Sequence, residues 1–206
     1  MSIVVVVKKN GKAVIAADTH YSFGTLIVRS EYLSNRTKIH QFDDSFIGIV
    51  GATAHENVVE HLFEKHKAKL AFGNTKDIFN TYLRLHPILR DEYFIKTSQG
   101  EDDEDYESSQ IDGLIANPNG IFGMYSWREV YEFEKFWALG SGRDYALGSL
   151  FANYDLLDEP EQLAEIAVRA ACEFDDGCGL PLTVHSVQLD KVSPVEQTKP
   201  EKRDQK

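Results

Sequence analysis

The chain has 206 residues, of which 42% are apolar and 27% charged, with a net charge of −11. Such proportions describe a globular protein with room for a sizeable core, and no apolar run approaches the ~20 residues that span a bilayer. The acidic balance argues against nucleic acid as a partner, because phosphate contacts need a basic surface, and the apolar start has no basic segment before it, as a secretory signal would.

Residues 3–8 and 13–18 read as two strands around Asn10-Gly11, a strong hairpin turn. Both runs are apolar on both faces, as strands covered on two sides would be. A shorter strand follows Gly24 at Thr25 to Val28, and a further pair, around Lys38 to His40 and Phe46 to Val50, brackets the turn pair Asp43-Asp44.

The period then changes. Val58, Val59, Leu62, Phe63 and Leu70 recur at helical spacing, and Gly73 ends that helix. Thr75 is the expected N-cap of a second helix carrying Ile78, Phe79, Tyr82, Leu83 and Leu85, which Pro87 ends or kinks. Residues 100–107 form an acidic loop without the ordered ligand pattern of a calcium-binding loop.

Strands resume at residues 113–116 and 120–125, around an Asn-Pro-Asn turn, and again at Val130 to Phe133 and Phe136 to Leu139. A helix with Tyr145, Leu147, Leu150, Phe151 and Tyr154 follows. Another is opened by Asp158-Glu159-Pro160-Glu161, read as a capping box. A last strand runs from Leu182 to Leu189. Residues 1–191 form the expected domain, and 192–206 a polar, disordered tail. Strands and helices in separate runs predict an α+β fold. Two apolar sheet faces and two helix pairs fit four layers, an αββα sandwich.

Cys172 and Cys178 are the two cysteines. They are too few for a zinc site and point to reduced thiols in a cytoplasmic setting. No pattern in the chain calls for a metal or a cofactor.

Ser2 draws attention because removal of Met1 would give it a free α-amine beside its hydroxyl. The amine titrates at about 7.7–8.0, which suits a general base, and a hydroxyl activated by its own N-terminal amine is an established catalytic solution. A Met-Ser start is also common, so Ser2 alone decides nothing.

The stretch from Ser2 to Asp18, with Gly24 and Lys38 after it, resembles the start of proteasome β-type subunits and the HslV-type bacterial peptidase. The resemblance continues in Ile49-Val50-Gly51-Ala52-Thr53-Ala54, in Leu139-Gly140-Ser141-Gly142-Arg143-Asp144-Tyr145-Ala146, and from Ala170-Ala171 through Asp175 to Gly179. These are N-terminal-nucleophile hydrolases with an αββα fold. The resemblance implies that Ser2 stands for the nucleophilic threonine and that Asp18 orients Lys38, which is reached through a loop about four residues longer than usual. It implies that Gly51 lends its N–H to the oxyanion hole and that Ser141 and Asp175 support the N-terminal amine. Cys178 stands where the family has a last supporting serine, and His20 where a basic residue is common.

A threonine-type endopeptidase with a serine nucleophile is thus implied, acting on polypeptides within homo-oligomeric stacked rings and compatible with an ATP-dependent unfoldase as partner. Two rivals are an inactive structural ring subunit and a small-molecule amidase. Taken singly, Asp18 reads as a turn residue, Lys38 as a surface lysine and Gly140-Ser141-Gly142 as a helix entry.

Overall fold

The structure, a computed structural model, describes residues 2–23, 26–34, 37–97 and 106–190. In chain order the elements are β1 (Ile3–Lys9), β2 (Lys12–Asp18), β3 (Tyr21–Phe23), β4 (Leu26–Val28), β5 (Ile39–Phe42), β6 (Ser45–Val50), α1 (Thr53–Lys65), α2 (Thr75–Asp91), β7 (Asp112–Asn117), β8 (Gly120–Met124), β9 (Val130–Phe133), β10 (Phe136–Gly140), α3 (Arg143–Asn153), α4 (Pro160–Phe174) and β11 (Leu182–Gln188). Gly24, most of the acidic loop and the expected tail lie outside the described residues.

Lys9 pairs with Lys12, so the first hairpin turns on Asn10 and Gly11 alone, with φ of 50° and 77°. Paired positive φ is the geometry Asn-Gly favours, because its twist matches that of the strands it joins. One sheet has the order β10-β1-β2-β11 and another β5-β6-β7-β8-β9, both antiparallel, while β3 and β4 pair separately. The chain crosses from the five-stranded to the four-stranded sheet through Glu134 and Lys135, between β9 and β10.

The alternation of β1 explains the layers. Ile3, Val5 and Val7 pack with Leu150, Leu163, Ala167 and Val168 of α3 and α4. Val4 and Val6 turn the other way and meet Leu114, Ala116 and Ile121 of the second sheet. The far face of that sheet, with Ile47, Ile49, Ile115 and Phe122, is covered by Val59, Leu62, Ile78, Tyr82 and Leu85 of α1 and α2. The result is the four-layer αββα sandwich, with β1 and β2 buried on both faces.

Five local expectations are corrected. The first helix ends at Lys65, and Leu70 lies beyond a further turn of 3-10 helix at Lys67–Lys69. The N-cap of α2 is Asn74, whose Oδ1 accepts from the Asp77 N–H at 3.0 Å. Pro87 neither ends nor interrupts the assigned α2: the carbonyl it leaves without an intrahelical donor belongs to exposed Leu83, where water can serve it. Phe79 and Leu83 are exposed, not core. The capping box at α4 is absent. Glu161 instead accepts from Lys12 at 2.9 Å and from Ser186 at 2.8 Å, which ties the helix to β2 and β11.

Gly48 of β6 lies where the sheets approach: a Cβ there would stand 2.5 Å from Val4 Cγ1 and 3.2 Å from Ile15 Cδ1. Gly48→Ala is expected to lower stability by about 1–3 kcal/mol through overpacking, measured by urea unfolding.

Candidate active site

Asp18, the last residue of β2, is 0% exposed. Its Oδ1 accepts from the Ile3 N–H at 3.0 Å and from the Lys38 ammonium at 2.7 Å; its Oδ2 accepts from the N–H groups of His20 and Gly179, each at 3.1 Å. A buried carboxylate is tolerated only when paired and hydrogen-bonded, and this one meets both conditions.

Lys38 immediately precedes β5 and is 2% exposed. Its carbonyl accepts from the Ile49 N–H at 3.1 Å, and its ammonium lies 5.2 Å from the centre of the Tyr21 ring. The Tyr21 hydroxyl donates to Glu56 of α1 at 2.9 Å.

Ser2 is 5% exposed and stands directly before β1. Two supports flank it. On one side its neighbour Ile3 donates to Asp18. On the other, the Ser2 carbonyl oxygen lies 3.5 Å from Ser141 Oγ. Gly140 makes this approach possible: it has φ +116°, and a Cβ there would fall 2.0 Å from that carbonyl oxygen.

The Ser141 hydroxyl donates to Asp175 Oδ1 at 3.0 Å, and the Gly177 N–H donates to the same oxygen at 2.8 Å. Asp175 caps the end of α4. Cys178 Sγ is 4.0 Å from Ser141 Oγ, the outer reach of a sulfur contact. Burial, followed by the charges of Asp18 and Asp175, pushes the Cys178 thiol up to about 12, so it stays protonated at neutral pH. His20 packs against Gly179, where a Cβ would meet its Nδ1 at 2.7 Å, and burial lowers its pKa from the usual value.

Ser2, Gly51 and Ser141 share a cavity of about 660 Å³, walled further by Asp112, Tyr125 and Trp137. Gly51 lies between β6 and α1 with φ +122°, a conformation in which a side chain would be strained. The structure therefore gathers the residues in two linked groups. Asp18 and Lys38 touch directly, as do Ser141, Asp175 and Cys178, and the chain at Ser2–Ile3 joins the groups. Tyr21 and Asp112 escaped the sequence reading, since each owes its place to contacts distant in sequence; Gly140 entered it only as part of the Gly-Ser-Gly turn, without its contact to Ser2. Among the described residues no cluster of His, Cys, Asp or Glu could hold a metal ion.

An αββα sandwich whose first strand begins at such a constellation is the N-terminal-nucleophile hydrolase fold. The solved structure of Thiobacillus denitrificans BPH is 36% identical, with TM-score 0.84 over 93% of this chain and 99% of that one. The same protein in complex with epoxomicin is 35% identical, with TM-score 0.84 over 92% and 100%. Eukaryotic HslV from Trypanosoma brucei shares the fold at 18% identity, with TM-score 0.69 over 90% and 99%. No family model and no curated protein matches the chain. The chain belongs to the bacterial proteasome homologues, a proteasome β-type, HslV-like family.

Burial also pushes the Cys172 thiol up to about 12. With both thiols at about 12, roughly one in ten thousand is thiolate at pH 8. The folded protein is therefore expected to resist iodoacetamide at pH 8, whereas the urea-unfolded chain takes up two adducts, counted by mass spectrometry.

Proposed function

We propose that this chain is the peptidase subunit of a bacterial proteasome-like ring and that Ser2, freed by loss of Met1, is its nucleophile. One observation carries the reading most. A single oxygen of Asp18 takes both the Lys38 ammonium and the N–H of Ile3. The residue that follows the nucleophile and the cation proposed to assist it are thus held by one atom.

In this reaction Ser2 Oγ attacks the carbonyl carbon of the scissile bond while the Ser2 α-amine takes the hydroxyl proton. The Gly51 N–H donates to the oxyanion, where a fixed donor is worth most, and the nearby Lys38 charge favours the deprotonated forms of the amine and hydroxyl. The tetrahedral intermediate collapses, the C–N bond breaks, and the proton passes to the leaving amine. Water then attacks the acyl ester, its proton returns through the amine, and the carboxylic acid leaves. Ser141 and Asp175 support the N-terminal amine, with Cys178 beside them.

The fold's relatives support a homo-oligomeric ring assembly; enclosed sites fed by an ATP-driven unfoldase are part of the proposal. No helix among the described residues is long and apolar enough to cross a membrane, and both cysteines are free, in keeping with a cytoplasmic setting. A catalytically weak ring subunit is the second reading. The 4.0 Å contact of Cys178 favours it, because a thiol is a poor hydrogen-bond partner for Ser141.

The test is hydrolysis of fluorogenic peptide amides by the purified assembly. The wild type is expected to cleave them, and Ser2→Ala and Lys38→Met each to lose about a thousandfold or more in kcat/KM. Equal rates for Ser2→Ala and wild type would defeat the nucleophile assignment. Absence of hydrolysis by a wild type shown by intact mass to lack Met1 would favour the weak subunit.

A further inference from the structure

The cavity beside Ser2 is asymmetric in charge. Its wall from the five-stranded sheet carries Val50, Gly51, Asp112 and Tyr125. Asp112 is the β7 partner of Val50 in the ladder, one residue from Gly51. Its Oδ1 is occupied by the Ser126 N–H at 2.7 Å. Its other oxygen has no hydrogen bond or ion pair among the described residues, and the side chain is half-buried. The charge of Asp112 acts on the His55 imidazole, but burial outweighs it and holds His55 toward its neutral form, so His55 does not offset Asp112 at neutral pH.

The rest of the cavity suits a long apolar stem. Tyr125 packs edge-on to Tyr131 with ring centres 5.7 Å apart, and Trp137 stacks on Phe133 at 5.1 Å, so both aromatic walls are braced from behind. Braced aromatic faces beside a carboxylate favour a cation. The opposite wall carries Arg143, but its guanidinium donates to the Gly140 carbonyl at 3.4 Å and pairs with Asp144 at 3.5 Å. Its charge is therefore partly answered, while that of Asp112 is not.

We infer that Asp112, with Tyr125 and Trp137, forms a subsite for a basic substrate side chain, making this chain selective for peptides with Arg or Lys near the cleaved bond. An arginine presents an aliphatic stem to the aromatic walls and its guanidinium to the free oxygen of Asp112. The inference rests on the peptidase reading above and adds the substrate class. Asp112 is a specificity residue and takes no part in bond making.

The test uses fluorogenic peptides in which each position flanking the bond carries, in turn, arginine or its uncharged isostere citrulline. The wild-type assembly is expected to prefer arginine by about tenfold or more in kcat/KM at one position, the size of one charge-assisted hydrogen bond. Asp112→Asn keeps the acceptor for the Ser126 N–H and removes the charge. It is expected to abolish the preference, so that arginine and citrulline peptides are cleaved at equal rates. Asp155→Asn, at an exposed site elsewhere, should keep the preference. The same labelled peptides are titrated by fluorescence anisotropy onto Ser2→Ala chains, where tighter binding of the arginine peptide should vanish on adding Asp112→Asn. A preference that survives Asp112→Asn, or equal handling of arginine and citrulline in both assays, overturns the inference. If no peptide is cleaved yet the binding difference holds and depends on Asp112, the peptidase reading fails and the subsite stands.

Discussion

The carboxylate of Asp18 is the constraint on which the rest depends. It is wholly removed from solvent and accepts from one ammonium and three backbone N–H groups. Leaving such a charge unpaired costs several kcal/mol, so its four partners must be in place for the fold to tolerate it. Those partners come from the start of β1, the residue before β5, the turn after β2 and the segment after α4. Lys38 leads into the five-stranded sheet while Asp18 ends a strand of the four-stranded one. The ion pair thus crosses between sheets, and the site forms only once the sandwich has closed.

This arrangement places Ser2 through its neighbours. Ile3 is anchored by Asp18, and the Ser2 carbonyl lies against Ser141 only because Gly140 has no Cβ. The side chain itself is less constrained than threonine would be, since serine lacks the β-methyl that restricts χ1. The proposed chemistry therefore leans on the backbone and on the fixed charge of Lys38. Cys178 adds packing against Gly142, where a Cβ would meet its Sγ at 2.9 Å, more than it adds hydrogen bonding.

Much of this was legible in the residues. The unbroken apolar run of Ile3 to Val7 announces a strand covered on both sides, and the two facing cores supply that cover. Asn10-Gly11 announces its turn by chemistry alone. The helix boundaries were less legible: the apolar pattern runs on to Leu70 although α1 ends at its C-cap His66, because a loop can bury an apolar residue as well as a helix can. Pro87 misleads because its cost depends on which carbonyl it orphans, and that is a matter of exposure. Asp18, Lys38, Ser141 and Asp175 were visible as a set only through resemblance, since nothing in local spacing says that residues 20 or 34 apart will touch. Tyr21 and Asp112 have no local mark at all; their places are set by α1 and by the β6–β7 register.

The most direct measurement of the central claim is the mass of the purified chain before and after incubation with epoxomicin, followed by mapping of the adduct. The account predicts a chain that has lost Met1, gains one inhibitor per subunit, and carries it on the peptide that begins with Ser2. A chain that retains Met1 and gains no mass, or one labelled anywhere but at Ser2, would contradict it.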